Sequence, residues 1–540
     1  MNALSRRELL TACLGAGAAL AGCRRAPSIR FEGELLGQSA AAGHRLREGF
    51  RPPPVRRERA AVAILGAGVA GLSAAWRLER RGLRDFTVLE LEAEAGGTSR
   101  SGHNGVTAFP WGAHYVPAPL EAEGDLAELL REMGVVEGVD DAGRPRVGEQ
   151  FLCRAPQERL FFAGAWAEGL YPRFAASAED LRQLRAFEAE MDGLVGARDD
   201  RGRRAFVLPT AGSGRIPELD ALDGLSMAEY LDRRGLNSPR LRWYVEYACR
   251  DDYGCRLETT SAWAGVFYFT SRVEKPGARA SELVTWPAGN GAMVAHLQRA
   301  AGRRLRTGVL VTDVVPGPEG VVVHAWDIAR QEAFAIDADH AVFALPQFLA
   351  GRLLAPYRER PPPHLASFAY SPWVVANLTL RARPAEPGFP SAWDNVLYDS
   401  KSLGYVVATH QAGRDYGPTV WTWYLPLTDP DPRRARELLF SADWRHWAEV
   451  VVADLRRAHP DIEGLIERLD VWRWGHAMVR PAPGLLRGAL LEAARAPLGR
   501  LHFAHTDLSG MALFEEAQAW GVRAADAILS PASGAGTAGR

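Results

Sequence analysis

Residues 61–90 read AVAILGAGVAGLSAAWRLERRGLRDFTVLE, and this stretch decides the fold. Val62 to Leu65 is an apolar run with the length of a short buried strand. Gly66, Gly68 and Gly71 follow at the spacing G-x-G-x-x-G. From about Leu72 to Arg80 a helical pattern places Leu72, Ala75, Trp76 and Leu78 at positions available for one face, and Gly82 ends it. Thr87 to Leu89 forms a second strand that closes on Glu90. The spacing predicts a strand–turn–helix–strand unit, the context a dinucleotide fingerprint requires. Gly66 permits the tight turn, Gly68 lets the backbone approach a pyrophosphate, and Gly71 lets the helix pack close on the strand. The helix N-terminus offers free N–H groups and a positive dipole end to phosphates. Glu90 is placed to accept from a ribose diol, which disfavours a 2′-phosphate and so favours FAD or NAD over NADP.

The rest of the chain bounds what surrounds that unit. At 540 residues there is room for two large domains, and 47% hydrophobic with 24% charged residues is a globular composition. A net charge of −1 and the lack of a basic stripe argue against nucleic acid as a partner. Lys occurs at 275 and 401 alone, so a catalytic lysine has few places to sit. Five cysteines are too few for a disulfide framework, and no His/Cys cluster has metal-ligand spacing, so no metal is expected. Cys249 and Cys255 are either a pair or two ordinary buried thiols.

The first 23 residues read as an export signal rather than as fold. Arg6-Arg7 precedes an apolar run from Leu9 to Ala21, too short and too rich in Gly and Ala for a membrane span. Ser5 to Leu10 resembles a twin-arginine signal, and Leu20-Ala21-Gly22-Cys23 resembles a lipoprotein cleavage box with Cys23 as the lipid anchor. The expected location is exported: periplasmic or held at a membrane by an N-terminal lipid. A twin-arginine route carries folded cargo, which suits a protein that loads its cofactor inside the cell.

Residues 24–59 form a Pro- and Arg-rich arm containing Pro52-Pro53-Pro54. After Glu90, Gly96-Gly97 makes a second glycine turn with Arg100 near it. Residues 120–280 read as largely helical, with Ser226 and Glu229 as a capping box. Their aromatic residues, Trp243, Tyr244, Tyr247, Trp263, Phe267 and Tyr268, serve either as helix core or as a pocket floor. Short β runs return from about 305, including LVTDV and AVFALP. SPWVVANLTL, TVWTWYLPL and LDVWRWGHAMV read as later strands, and the chain closes with LHFAHTD and a final helix.

This order of parts resembles the flavin-dependent amine oxidase superfamily, which includes monoamine and polyamine oxidases, protoporphyrinogen oxidase and phytoene desaturase. The resemblance spans about 60–532 and rests on the fingerprint with Glu90, the Gly96-Gly97 turn, AVFALP, and Phe503-Ala504-His505-Thr506-Asp507 with Phe514 to Ala525. It implies an α/β fold with a Rossmann-like FAD-binding domain that is discontinuous (60–115, 281–346 and 498–532). An α+β substrate domain of mixed sheet and helices (116–280 and 347–497) is inserted into it, and 533–540 is a tail. It implies noncovalent FAD held by Gly66, Gly68, Gly71, Glu90, Gly96, Gly97 and Arg100. Val311 would meet the adenine through its backbone, Asp507 the ribityl or pyrophosphate region, and the backbone of Phe514 and Glu515 the flavin O2/N1 edge. Catalytic candidates are Trp474 and His476, sharing one strand face, and His114, a group that titrates near neutral pH. The family's substrate-domain lysine is missing: Ala376 or Asn377 takes its position in SPWVVANLTL. The implied function is oxidation of a small organic substrate by hydride transfer to flavin N5, with O2, a quinone or another acceptor taking the electrons. The missing lysine keeps a desaturase or dehydrogenase of an apolar substrate open beside an amine oxidase. A non-redox flavoprotein isomerase, mutase or binding protein is the alternative from another class.

Overall fold

The computed structural model describes residues 29–530, so Arg6-Arg7, the apolar run, Cys23 and the tail 533–540 lie outside the described residues. Two sheets organise the rest. The fingerprint strand is Arg56–Leu65, longer than the Val62 to Leu65 expected. Its outer half carries no apolar run because charge pairing supports it. Arg56, Arg57 and Arg59 bond across to Glu332, Asp337 and Asp339 of the parallel neighbour Glu332–Phe343. In strand order the sheet runs Leu305–Arg306, Phe86–Leu89, Arg56–Leu65, Glu332–Phe343, Val321–Asp327, Val309–Pro316, and Leu501–Phe503 pairs parallel with Glu332–Phe343. Three distant stretches of chain thus build one Rossmann-like sheet.

Helix Val69–Arg80 lies against the closing helix Phe514–Leu529 and helix Gly291–Ala301. The approach needs glycine: a Cβ on Gly71 would stand 1.9 Å from the Gly66 carbonyl oxygen, and one on Gly521 would stand 2.1 Å from that of Ala70. The closing helix is therefore clamped directly on the fingerprint helix, which fixes its N-terminus beside the glycine turn.

The second sheet has eight strands, in the order Leu35–Gly37, Ile466–Val479, Tyr370–Leu380, Thr419–Pro426, Tyr405–Val407, Asp394–Leu397, Glu158–Phe162 and Ala165–Glu168. Side-chain alternation sorts its residues. Val374, Ala376, Leu378, Trp421 and Trp423 join the core under helix Trp444–Leu455, whereas Trp373, Val375, Tyr424 and Trp474 belong to the opposite face. The arm joins both sheets: Leu35–Gly37 adds an edge strand to the second, and Ser39 bonds Glu92 beside the first. One expectation needs correction here. Residues 136–168, expected within a largely helical region, hold four short strands, each too brief to show alternation. The helices that follow form as read, and the Ser226–Glu229 capping box is present in full. Cys249 and Cys255 are free buried thiols.

Candidate active site

The glycine turn, the second turn and the closing segment meet around one cavity of ≈ 200 Å³. Gly66, Gly68, Glu90, Gly96, Gly97, Asp507 and Phe514 all line it. The glycines differ in what constrains them. Gly66 has φ +97°, and a Cβ there would meet the Ala344 carbonyl oxygen at 2.8 Å. Gly97 has φ +56°, and a Cβ there would stand 3.4 Å from the Gly68 Cα. Gly68 itself faces open space, with nothing within 4 Å of its Cβ position. Gly71 does not line the cavity; its work is the helix–strand contact already described. Glu90 accepts from the Ala67 N–H at 2.7 Å and the Glu92 N–H at 2.9 Å, and burial raises its pKa.

Asp507 is fully buried. Oδ2 accepts from the Gln347 N–H at 2.7 Å and from the Tyr370 hydroxyl. Burial pushes its pKa up, but the His505 imidazole and these donors outweigh that, so it lies below the usual carboxylate value. Oδ1 has no hydrogen-bond partner. His505 Nδ1 stands 3.0 Å from Oδ1 and 3.2 Å from the Asp507 N–H, its role toward each being set by its tautomer.

One expected cofactor contact is not brought to this cavity. Arg100 bonds Glu94 at 2.7 Å and stacks over Trp472 at 4.6 Å, so its guanidinium is committed elsewhere. Val311, expected to meet the adenine through its backbone, pairs with Ala325 inside its sheet.

A second cavity continues from the first, sharing Thr98, Ala113, Ala477, Leu513 and Phe514. Its walls are aromatic and its floor is acidic. Trp474 lines it, with Nε1 donating to the Trp111 carbonyl at 2.6 Å. His114 stacks on Tyr424 at 4.9 Å and lies 5.3 Å from Trp393. Burial lowers its pKa to about 4, so it is neutral at physiological pH. The sequence marked His114 as an acid/base; the structure makes it an uncharged member of the aromatic wall. We expect His114→Phe to leave the shape of the pH–rate profile unchanged, a comparison of kcat/KM between pH 6 and 9 being the check. His476 is the other correction. It lines the first cavity, stacks on Phe348 at 4.3 Å, and is lowered to about 3 by burial and by Arg436 and Arg47. It belongs with the cradle.

Beside Glu515, expected at the flavin edge and pushed up to about 7 by burial, the acidic groups are Asp251, Asp252, Asp394 and Glu158, which line this cavity or its ≈ 380 Å³ continuation. Asp252 bonds Arg272 at 2.7 Å. Asp251, Asp394 and Glu158 have no ion-pair partner among the described residues. Asp394 and Glu158 are register neighbours on adjacent strands, and Tyr247 donates to Asp394 at 3.2 Å. Burial, then Asp252, pushes Asp251 up to about 7. Burial and the neighbouring acids push Asp394 well up, and burial raises Glu158. Sequence reading missed all of them. A signal existed: Tyr244, Tyr247 and Asp251 recur at i, i+3, i+7 along helix Pro239–Tyr253, one face carrying two phenols and an acid.

Residues 69–529 match the family described as flavin containing amine oxidoreductase. The chain belongs to that family. Among solved structures it is similar to putrescine oxidase bound to putrescine (TM-score 0.65, 16% identity, covering 88% of this chain and 99% of that one). It is also similar to cyclohexylamine oxidase from Brevibacterium oxydans (TM-score 0.61, 17% identity, covering 87% and 98%). At these identities the likeness is one of fold. A curated relative, mitochondrial protoporphyrinogen oxidase of Nicotiana tabacum, is 41% identical over 76 residues, 14% of each chain. A Baeyer-Villiger monooxygenase of Stachybotrys chlorohalonatus is 26% identical over 209 residues, 38% of this chain and 29% of the relative.

As a flavin containing amine oxidoreductase the chain takes FAD, and its cradle fits that group. Open space at Gly68, the unpartnered Asp507 Oδ1 and the unpartnered Asn290 Oδ1 in the adjoining cavity are what a diphosphate, a ribityl chain and a flavin edge would occupy. Gly68 with the N-terminus of helix Val69–Arg80 would hold the diphosphate, Glu90 the ribose and Asp507 the ribityl hydroxyls. The N-terminal turn of helix Phe514–Leu529 would face the ring. On the strand expected to carry the family's lysine, Trp373 and Val375 reach the cavity. Ala376 faces the opposite core, and the Asn377 amide is held by Pro110 and Thr422. Both lysines are exposed and line neither cavity.

Proposed function

We propose that this flavoprotein oxidises an amine that carries a second cationic nitrogen, a diamine or polyamine. One observation supports the reading above others: Asp251, Asp394 and Glu158, half-buried and without cationic partners, face an aromatic-walled space that opens on the flavin cradle. Burying acids unpaired is costly, and a bound cation relieves that cost. An acyl chain or carbocycle would leave them unmatched. When bound, FAD supplies the acceptor for the hydride leaving the carbon beside the reacting nitrogen. This chain's residues do the rest. Asp251, Asp394 and Glu158 hold the distal ammonium. Tyr115, Tyr247, Tyr424 and Trp474 give it π faces and exclude water. Neutral His114 adds no competing positive charge. O2 or a quinone would reoxidise the cofactor. Arg6-Arg7, the apolar run and Cys23 support export and lipid attachment, which the mass of the mature N-terminus tests.

Anaerobic titration checks the substrate reading. A diamine such as 1,4-diaminobutane, or spermidine, is expected to bleach the oxidised flavin band at lower concentration than butylamine. A protein that no amine bleaches would overturn it and turn the search to desaturase and isomerase substrates. The pH dependence has a defined sign. Asp251 titrates near 7, so the free site binds protons that a dication must displace. Affinity for the diamine is expected to rise between pH 6 and 8, with proton release on binding read by calorimetry in buffers of different ionisation enthalpy.

A further inference from the structure

A separate cavity of ≈ 210 Å³ lies away from the cradle, among the 203–215 loop, the segment around Arg487 and Arg495, and the outer face of the closing helix. Five arginines line it: Arg203, Arg215, Arg487, Arg495 and Arg523. Arg487 is the innermost. Its side chain is 13% exposed and lies 4.0 Å over the Trp263 ring, and Nη2 is buried with no hydrogen-bond partner. Burial lowers its pKa to about 10, partly offset by Asp220. Arg495 and Arg523 both lie over Trp520, at 5.5 and 5.1 Å.

Charge at the lining does not balance. Asp220 serves both Arg215 and Arg487, Asp199 serves Arg203, and Glu492 serves Arg495. Arg523 has no ion-pair partner among the described residues. Five guanidinium groups thus face three carboxylates, an excess of two positive charges. Two further acids stand behind the lining and act on Arg487 and Arg495 from there, so the unpartnered Arg487 Nη2 and the unpaired Arg523, rather than a net charge, mark the site. Asp223 is taken up by Ser261 and the Arg487 N–H, and Glu516 by Thr210 and Ser509; burial raises both.

We propose that this cavity binds a small dianionic oxyanion, a phosphate group or a dicarboxylate. Guanidinium forks suit both chemistries, and the cavity's size admits either. The unpartnered Nη2 of Arg487 would be the inner donor and Arg523 the outer one. The site shares no residue with the substrate cavity, so it stands or falls independently of the amine reading.

The test is calorimetric titration of flavin-loaded protein in chloride buffer with inorganic phosphate and, separately, succinate. One anion is expected per chain, with affinity falling about tenfold or more in Arg487→Met. If Arg487→Met does not fold, Arg523→Gln, on an exposed side chain, carries the comparison and is expected to weaken binding several-fold. Uptake of phosphate alone assigns a phosphate group, and uptake of succinate alone a dicarboxylate. No saturable uptake of either, or equal affinity in the variants, would overturn the site.

Discussion

Asp251→Asn is expected to lower kcat/KM for a diamine by about 10- to 100-fold while changing that for a monoamine of the same length only a few-fold. The range is that of one charge-assisted hydrogen bond, about 1.5–3 kcal/mol, removed from a cation. The split between substrates separates recognition from loss of the active site, because a collapsed site would fail with both. A second readout has opposite sign. Burial, then Asp252, places Asp251 at about 7, above the ordinary aspartate value. A carboxyl raised in the folded state contributes stability below its unfolded pKa and loses it as pH rises through 7. At pH 8 the wild-type chain carries that cost without substrate, and Asn does not. The variant is expected to melt higher than wild type at pH 8, with the gap closing toward pH 5. On the order of 2 kcal/mol is involved, shared with Asp394 and Glu158 since the three charges interact. Equal melting temperatures at both pH values, with unchanged diamine kinetics, would remove Asp251 from the binding role.

How much of this site was legible in the sequence follows from what each residue interacts with. The cradle is local: Gly66, Gly68, Gly71 and Glu90 sit in one βαβ unit, so their spacing encodes their geometry. Asp507 and Phe514 are distant in sequence but were reached through the resemblance, and the structure brings them to the same cavity. Arg100 shows where such inference fails. Position near a phosphate loop does not set the direction of a long side chain, and Glu94 with the Trp472 ring holds this one away. The acidic floor was hidden for a different reason. Glu158 and Asp394 come together through a parallel pairing between strands more than two hundred residues apart, which no local period reveals. Asp251 comes from a helix whose neighbouring acid is spent on Arg272, so Asp251-Asp252 in sequence gives no clue as to which is free. His114 was misread because titration near neutral is a property of a solvated imidazole; buried against Tyr424 and Trp393 it stays uncharged.

The largest expected effects belong to two glycines three residues apart, and they differ in kind. Gly71→Ala places a methyl 1.9 Å from the Gly66 carbonyl oxygen and 3.1 Å from its carbon, with the Ala344 Cβ at 3.3 Å. The first is backbone, so no side chain can swing aside; the helix must shift against the strand. Helix Val69–Arg80 is also pinned from the other side, where Gly521 lets the closing helix touch Ala70. A shift that relieves one contact tightens the other. Overpacking of this sort costs about 3 kcal/mol or more, and Gly71→Ala is expected to give little soluble protein and no bound flavin. Gly68→Ala should behave otherwise. Its φ of −72° suits an L-residue, and the new methyl meets nothing within 4 Å. The chain should fold with unchanged far-UV dichroism. The methyl instead enters the space proposed for the diphosphate, between the Gly97 turn and the helix N-terminus, and flavin affinity is expected to fall by about a hundredfold. The ratio of flavin to protein after gel filtration, set beside soluble yield, reads both at once. If Gly68→Ala retains its full complement of flavin, the diphosphate does not pass over that turn.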